Sequence, residues 1–303
     1  MVILSLDKNA TNINHFFQTA TYNLGSKMKD ETLRQIQAIE LDIATEVFRL
    51  CSKHNLRCSL VGGSAIGAIR HKGFIPWDDD IDLAMPRSDY ERFVEICKTE
   101  LNKSFFLQCF ETEENCAFIF AKVRKNGTRL PEYYSEHINM HHGVWVDIFV
   151  YDNVSDNPRI RKYEMKLLQF YRNLLIIKIG YKLPKNKRGF VKKIAFSCGK
   201  LLTLFFPKNF LQSKCHKIMT RHINERTSCI FPYGGAYSNK KELMPNDFFQ
   251  ELIDAPFEDR VFKITNKYDY YLSNLFGDYM TPPPPENRIP GNHFLDESSI
   301  VLN

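Results

Sequence analysis

The stretch Leu60 to Glu91, LVGGSAIGAIRHKGFIPWDDDIDLAMPRSDYE, decides how the chain is read. It opens on a short apolar run, Leu60-Val61, that breaks at Gly62-Gly63-Ser64. Two adjacent glycines let the backbone come close to a ligand, and Ser64 offers both a helix cap and a hydroxyl. Main-chain amides at a helix start favour an anion such as a phosphate. A second strand-like run, Asp80 to Met85, follows Trp77-Asp78-Asp79. Side chains alternate along a strand, which predicts Asp80 and Asp82 on one face and Ile81 and Leu83 on the other. Carboxylates held that close repel each other unless a cation sits between them, and such hard ligands suit Mg²⁺ or Mn²⁺. A phosphate loop followed by a two-carboxylate strand implies phosphoryl or nucleotidyl transfer.

The flanking residues extend this site. A short helix from Ala65 to about His71 ends in Arg70, His71 and Lys72. These cations either complement the helix C-terminus or reach the phosphates of a substrate held at Gly62-Gly63-Ser64. Ser88-Asp89-Tyr90-Glu91 has the form of a capping box for a scaffold helix. Farther on, Val144, Val146, Ile148 and Val150 alternate with Trp145, Asp147 and Phe149. A carboxylate in so apolar a strand is costly to bury without a partner, so Asp147 is either a surface residue of an edge strand or, the better-supported reading, a third acidic member of the metal site. Lys122 and Arg124 face either the site or solvent. His137, His141 and His142 lack the spacing of a zinc site.

Upstream, Asp30 is placed to cap a helix running to about Lys53. Leu33, Ile36, Ile39, Ile43, Val47 and Leu50 recur at the helical period. Its Glu40, Asp42 and Glu46 are expected on the solvated face. Downstream, FEDRVFKI reads as a short strand, followed by a helix from Lys267 to about Phe276. Pro282 to Pro285 must be extended, because proline lacks the helical donor. Arg288 and His293 beyond it either pack on the surface or meet an anionic substrate.

Composition narrows the class. Apolar residues make up 44% and charged residues 25% of the 303, as in an ordinary soluble globular protein. The eight cysteines show no C-x-x-C pair, which suits reduced, buried thiols in the cytosol. The N-terminal MVILSLDKNATNINHFF lacks the pattern of a signal peptide, and no stretch reaches the length of a membrane span. The total charge of +6 hides a basic segment: Arg159 to Lys217 holds sixteen Lys or Arg against one acid, Glu164. Three readings of this segment compete. They are core helices with a solvated basic face, an amphipathic surface for anionic lipid, and a nucleic-acid surface without any accompanying reading motif. Nucleic acid is the least supported. The expected location is cytoplasmic, with peripheral contact on the inner face of the membrane.

Together these residues resemble the LicD family, whose relatives include fukutin and the fukutin-related protein. The resemblance rests on Leu60 to Ser64, on His71 to Asp82, on Gly143 to Phe149, and on a tail from Tyr270-Tyr271-Leu272 through Gly277-Asp278-Tyr279-Met280 to Pro282-Pro283. It implies an α+β fold with a nucleotidyltransferase-like core, a mixed β-sheet flanked by helices, to which a basic helical segment is added. The corresponding division is a lead-in at 1–29, a catalytic core at 30–155, the basic segment at 156–230 facing acceptor or membrane, and a C-terminal part at 231–303 that completes the domain.

By the same likeness, Asp80, Asp82 and Asp147 are the catalytic carboxylates and, with Asp78, the metal ligands. Gly62, Gly63, Ser64, Arg70 and Lys72 bind the donor. The implied enzyme is a Mg²⁺- or Mn²⁺-dependent phosphotransferase. It takes a phospho-alcohol from a CDP-linked donor, such as CDP-choline, to a hydroxyl of a cell-surface glycan (teichoic acid or lipopolysaccharide) or of its lipid-linked precursor. Two alternatives stay open: a nucleotidyltransferase that moves NMP, and a catalytically silent membrane or glycan adaptor.

Overall fold

The computed structural model describes residues 29–182, 200–235, 240–288 and 297–302. Helix α1 spans Asp30–Lys53, and its apolar stripe of Leu33, Ile36, Ile43, Val47 and Leu50 is buried. Asp30 is its first helical residue, preceded by Lys29 in extended conformation, so Asp30 is not the cap. Strand β1 is only Ser59–Leu60. A five-residue helix, α2 (Gly62–Ile66), runs directly into a wider π-turn at Gly67–His71. Strand β2 (Asp82–Pro86) leads into α3 (Arg87–Glu100). There Pro86 takes the capping position and Ser88 lies inside the helix, so the expected capping box does not form. Asp89 instead accepts from the Arg57 amide and guanidinium at 2.9 and 2.8 Å, tying α3 to the chain that enters β1.

Strands β3 (Phe105–Gln108), β4 (Ala121–Lys125) and β5 (Trp145–Asn153) follow. The basic segment supplies α4 (Pro158–Ile179) and α5 (Lys208–Met219), which pack on each other. The C-terminal part contributes β6 (Cys229–Pro232), β7 (Met244–Pro245), β8 (Leu252–Phe257), β9 (Arg260–Thr265) and α6 (Tyr268–Phe276). The expected single strand FEDRVFKI is a tight hairpin instead, with Glu258 turning the chain at φ 54°.

Among the described residues the strands form one mixed sheet in the order β3-β4-β5-β2-β1-β9-β8, with β6 and β7 branching from β5. β2 pairs parallel with β5, β1 pairs parallel with β9, and the other pairs are antiparallel. This is the α+β arrangement of a mixed sheet flanked by helices. Its centre is almost wholly apolar: Leu60, Leu83, Ala84, Met85, Val146 and Ile148 are all fully buried. Six of the seven described cysteines are buried, and none is in a disulfide.

The sheet alternates as the sequence predicts. Val144, Val146, Ile148 and Val150 share one face of β5, and Trp145, Asp147 and Phe149 share the other. Register carries this across the strands. Asp82 stands opposite Asp147, Asp147 opposite Lys122, and Lys122 opposite Gln108. A polar row thus crosses β2, β5, β4 and β3 on one face.

Candidate active site

The acidic centre forms at the approach to β2 and not within the strand. Residues 78–81 are irregular, and Asp82 begins the ladder. The expected alternation of Asp80 against Ile81 therefore does not govern this segment. Asp78, Asp79 and Asp80 converge, each offering an oxygen within 4.8 Å of the others. Asp79, which the alternation argument passes over, is the most buried of the three. Among the described residues this is the one such grouping of His, Cys, Asp or Glu side chains.

The glycines belong to the same centre. Gly62 is at φ 56°, where a side chain is strained, and a Cβ there would stand 2.9 Å from Asp82 Oδ2. A Cβ on Gly63 would stand 2.7 Å from Asp78 Oδ2. The close backbone approach suggested by Gly62-Gly63 is thus made to the protein's own carboxylates. Ser64 Oγ accepts the Asp82 amide at 2.8 Å, inside α2, so it positions the first residue of β2 and does not cap the helix. The Gly62 amide donates to Tyr271 Oη of α6 at 3.0 Å.

Arg70 and Lys72 differ in placement. Arg70 is half-buried and donates to the carbonyl of Tyr279 at 2.5 Å and to His71 Nε2 at 2.9 Å. Burial, and then the nearby Arg288, push its guanidinium pKa down, while Asp78 pulls it up. Arg70 therefore sits between the acidic centre and the C-terminal tail, where Arg288 also lies over the Trp77 ring at 5.4 Å. Lys72 is exposed at φ 60° and donates to Ile69 O at 3.1 Å, in its own turn. His293 lies outside the described residues.

Asp147 lies beside this centre, in register with Asp82, and its carboxylate is bound to Lys122 at 2.8 Å. Lys122 also lies 3.3 Å from Glu132, which pairs with Arg124 at 2.8 Å. All four charges are buried and balance pairwise. The Lys122 ammonium is further enclosed by the rings of Trp145 at 4.3 Å, Phe118 at 5.1 Å and Phe120 at 5.5 Å. Burial raises the pKa of Asp147, against the pull of Lys122. Glu132 is subject to the same burial, yet Lys122 and Arg124 hold it down at about 2. Lys122 and Arg124 thus face inward.

Two carboxylates on α1 depart from the expected solvated face. Glu46 is buried and chelates Arg49 while accepting the Asn102 amide. Glu40 is wholly buried, 0% exposed, and neither of its oxygens has a hydrogen-bond partner. Burial, then the charges of Asp80, Asp79, Asp78 and Asp147, push its carboxyl well above the usual range. The signal was present in the sequence: 33, 36, 40, 43, 47 and 50 form one helical stripe, and Glu40 occupies its third place. Asp42 is exposed, as expected.

His137, His141 and His142 do not gather. They bind Gly180 O, Asn126 Oδ1 and Ile138 O, respectively, at 2.9 Å each.

The family described as LicD/FKTN/FKRP, nucleotidyltransferase domain, matches residues 55–186. The lipopolysaccharide cholinephosphotransferase LicD of Haemophilus influenzae is 32% identical over 281 residues, covering 90% of this chain and 100% of that protein. An uncharacterized protein of Rickettsia prowazekii is 24% identical over 153 residues, or 44% of this chain and 54% of its own length. One from Rickettsia typhi is 29% identical over 72 residues, 23% of each.

Proposed function

The chain belongs to the LicD family, and on that premise we propose that it is a transferase that moves phosphocholine from a CDP-linked donor to a glycan hydroxyl. The observation that carries this reading is the convergence of Asp78, Asp79 and Asp80 against a turn whose Gly62 and Gly63 leave room only for the carboxylates of Asp82 and Asp78. The full-length relationship to a lipopolysaccharide cholinephosphotransferase supports the choice of group and acceptor. The family's description likewise supports a nucleotidyltransferase-like core.

The residues fit a divalent cation. Three carboxylates within 4.8 Å of one another, backed by an unpartnered buried carboxyl, form a hard, anionic donor set of the kind Mg²⁺ or Mn²⁺ takes. Asp78, Asp79 and Asp80 would hold the ion, with Asp82 adjoining. Once bound, it would neutralise the donor diphosphate and the charge that develops on the leaving CMP.

The rest falls to the chain itself. In the reaction the acceptor oxygen bonds to the choline-bearing phosphorus, the bond to the bridging oxygen breaks, and CMP departs. The hydroxyl proton must go to a carboxylate. Asp82 is half-buried at the edge of the centre, whereas Asp147 is buried and bound to Lys122. We therefore assign proton acceptance to Asp82 and positioning to Asp147. Arg70, beside Asp78 and Arg288, is assigned to the donor phosphates; Ser64 fixes Asp82. Positioning and charge stabilisation supply most of the rate in such chemistry.

The acceptor is proposed to be lipid-linked and reached at the membrane surface. Along α4, Arg159, Lys162 and Lys166 are exposed together with Ile160, Tyr163 and Phe170. Beside α5, Leu204 is 72% and Phe205 74% exposed, near exposed Leu201, Leu202 and Lys200. Glu164, the one acid between Arg159 and Lys217, is buried, held by Arg221 at 3.0 Å and His222 at 3.1 Å. A surface of apolar and cationic groups with its acid withdrawn suits the interface of an anionic bilayer. No helix of the described residues is long and apolar enough to cross a membrane.

The test is product analysis. With CDP-choline, lipopolysaccharide and Mg²⁺, the reading requires free CMP and phosphocholine on the glycan. Release of pyrophosphate from a nucleoside triphosphate, with NMP on the acceptor, would replace it with nucleotidyl transfer. Glycan binding with neither product would leave the adaptor.

A further inference from the structure

We propose that Glu40 is a further acidic member of the cation site, presented from α1 to the centre formed by Asp78, Asp79 and Asp80. The inference rests on the cation reading above and adds a residue that lies outside both the Gly62-to-Asp82 motif and the span of the family match.

Three observations support it. First, α1 is fixed against the acidic loop: Gln37 Nε2 donates to the carbonyl of Asp78 at 2.8 Å. Glu40 is the next residue on that face, three positions on and so nearly one turn away. Second, Glu40 is fully buried, and neither carboxylate oxygen has a hydrogen-bond partner. Buried carboxylates in folded proteins are normally paired or hydrogen-bonded, since an isolated one is costly. Among the described residues, four other buried acids have a base: Glu46 has Arg49, Glu132 has Lys122 and Arg124, Asp152 has Arg87, and Glu164 has Arg221 and His222. Third, the charged groups that act most strongly on Glu40 are acids, Asp80, Asp79, Asp78 and Asp147.

A carboxylate in that setting is destabilising for the fold alone. A leucine at position 40 would continue the stripe of Ile36 and Ile43 and bury apolar surface where the acid now buries polar atoms without hydrogen-bond partners. A cation at the centre reverses the sign, since it turns like-charge repulsion into a shared attraction. Glu40 is not among the carboxylates within 4.8 Å of one another, so it acts from behind them, as the acceptor that orients groups around the ligands, and that role raises affinity. Presentation from a long helix, packed along its length, also fixes the carboxyl more rigidly than the irregular 78–81 segment would alone.

The test is titration of the intact protein with Mg²⁺ and, separately, Mn²⁺ by calorimetry, for the wild type, Glu40→Gln and Glu40→Leu. Thermal melts with and without cation give the second readout. Without cation, both variants should melt at or above the wild-type temperature, because a buried carboxyl without a hydrogen-bond partner has been removed from beside other acids. With cation, affinity should fall by about 10–100-fold, the range seen when groups supporting a metal site are removed. The cation-induced rise in melting temperature should shrink accordingly. Wild-type affinity in Glu40→Gln and Glu40→Leu would overturn the assignment while leaving the cation reading intact. Absence of cation binding by the wild type would overturn both. If Glu40→Leu fails to fold, Glu40→Gln, of nearly the same shape, decides.

Discussion

The hydroxyl of Tyr271 accepts the amide of Gly62 at 3.0 Å, a contact between residues 209 positions apart. Through it, α6 holds the turn on which the candidate active site is built. Tyr271→Phe would strand a buried amide and is expected to destabilise the fold by about 1–3 kcal/mol. Denaturant unfolding measures this. Phosphocholine transfer should fall more than the folded fraction does, since the turn itself is released.

The glycines give a sharper test. Gly63→Ala should leave the protein folded but drive Asp78 from its place, because the new Cβ would stand 2.7 Å from its Oδ2. A misplacement of about 1 Å costs on the order of a hundredfold in rate. Single-turnover kinetics beside a circular dichroism melt separates the two effects. Gly62→Ala should be worse, adding strain at φ 56° to a 2.9 Å approach to Asp82.

Lys122 sits between two buried carboxylates, and its removal leaves both without that counter-charge. Lys122→Met is expected to destabilise by about 3–5 kcal/mol, as for other buried pairs broken from one side. The double variant with Asp147→Asn should recover part of that loss. A double-mutant cycle by urea unfolding reports the coupling.

Glu132 fixes a pH dependence. Its folded pKa lies at about 2, below the ordinary 4.5, because Lys122 and Arg124 outweigh its burial. A depressed acid stabilises the fold above its unfolded pKa and loses that contribution as pH falls through the folded value. Wild type should therefore exceed Glu132→Gln most in melting temperature above about pH 4.5, with the gap narrowing toward pH 2.

Membrane contact is tested by flotation with vesicles containing anionic lipid. Wild type should float and Leu204→Glu with Phe205→Glu should not, both remaining monodisperse. Equal flotation of both would refute this surface as the contact, and flotation of neither would refute membrane contact altogether.

Much of this was legible in the sequence, and the exceptions have physical causes. The apolar stripe of α1, the alternation of β5 and the helix near Tyr271 follow from period alone. The row from Asp82 to Gln108 needed register, which no local pattern sets. Strand alternation skips Asp79 because the segment before Asp82 is irregular. The charge of Glu40 points to solvent, whereas its position in the stripe places it inside. Lys122 was ambiguous until the strand beside it supplied Asp147.

The order of strands has a consequence for synthesis. β1 carries the entry to the glycine turn, yet its parallel partner is β9, reached through Ile264, and its brace is Tyr271. On the ribosome, the motif at 60–82 emerges long before either arrives. The glycine turn therefore gains its pairing and its brace only after synthesis has passed Ile264 and Tyr271. Pulse proteolysis of chains stalled before and after Tyr271 should show protection of the 60–82 segment appearing only in the longer ones.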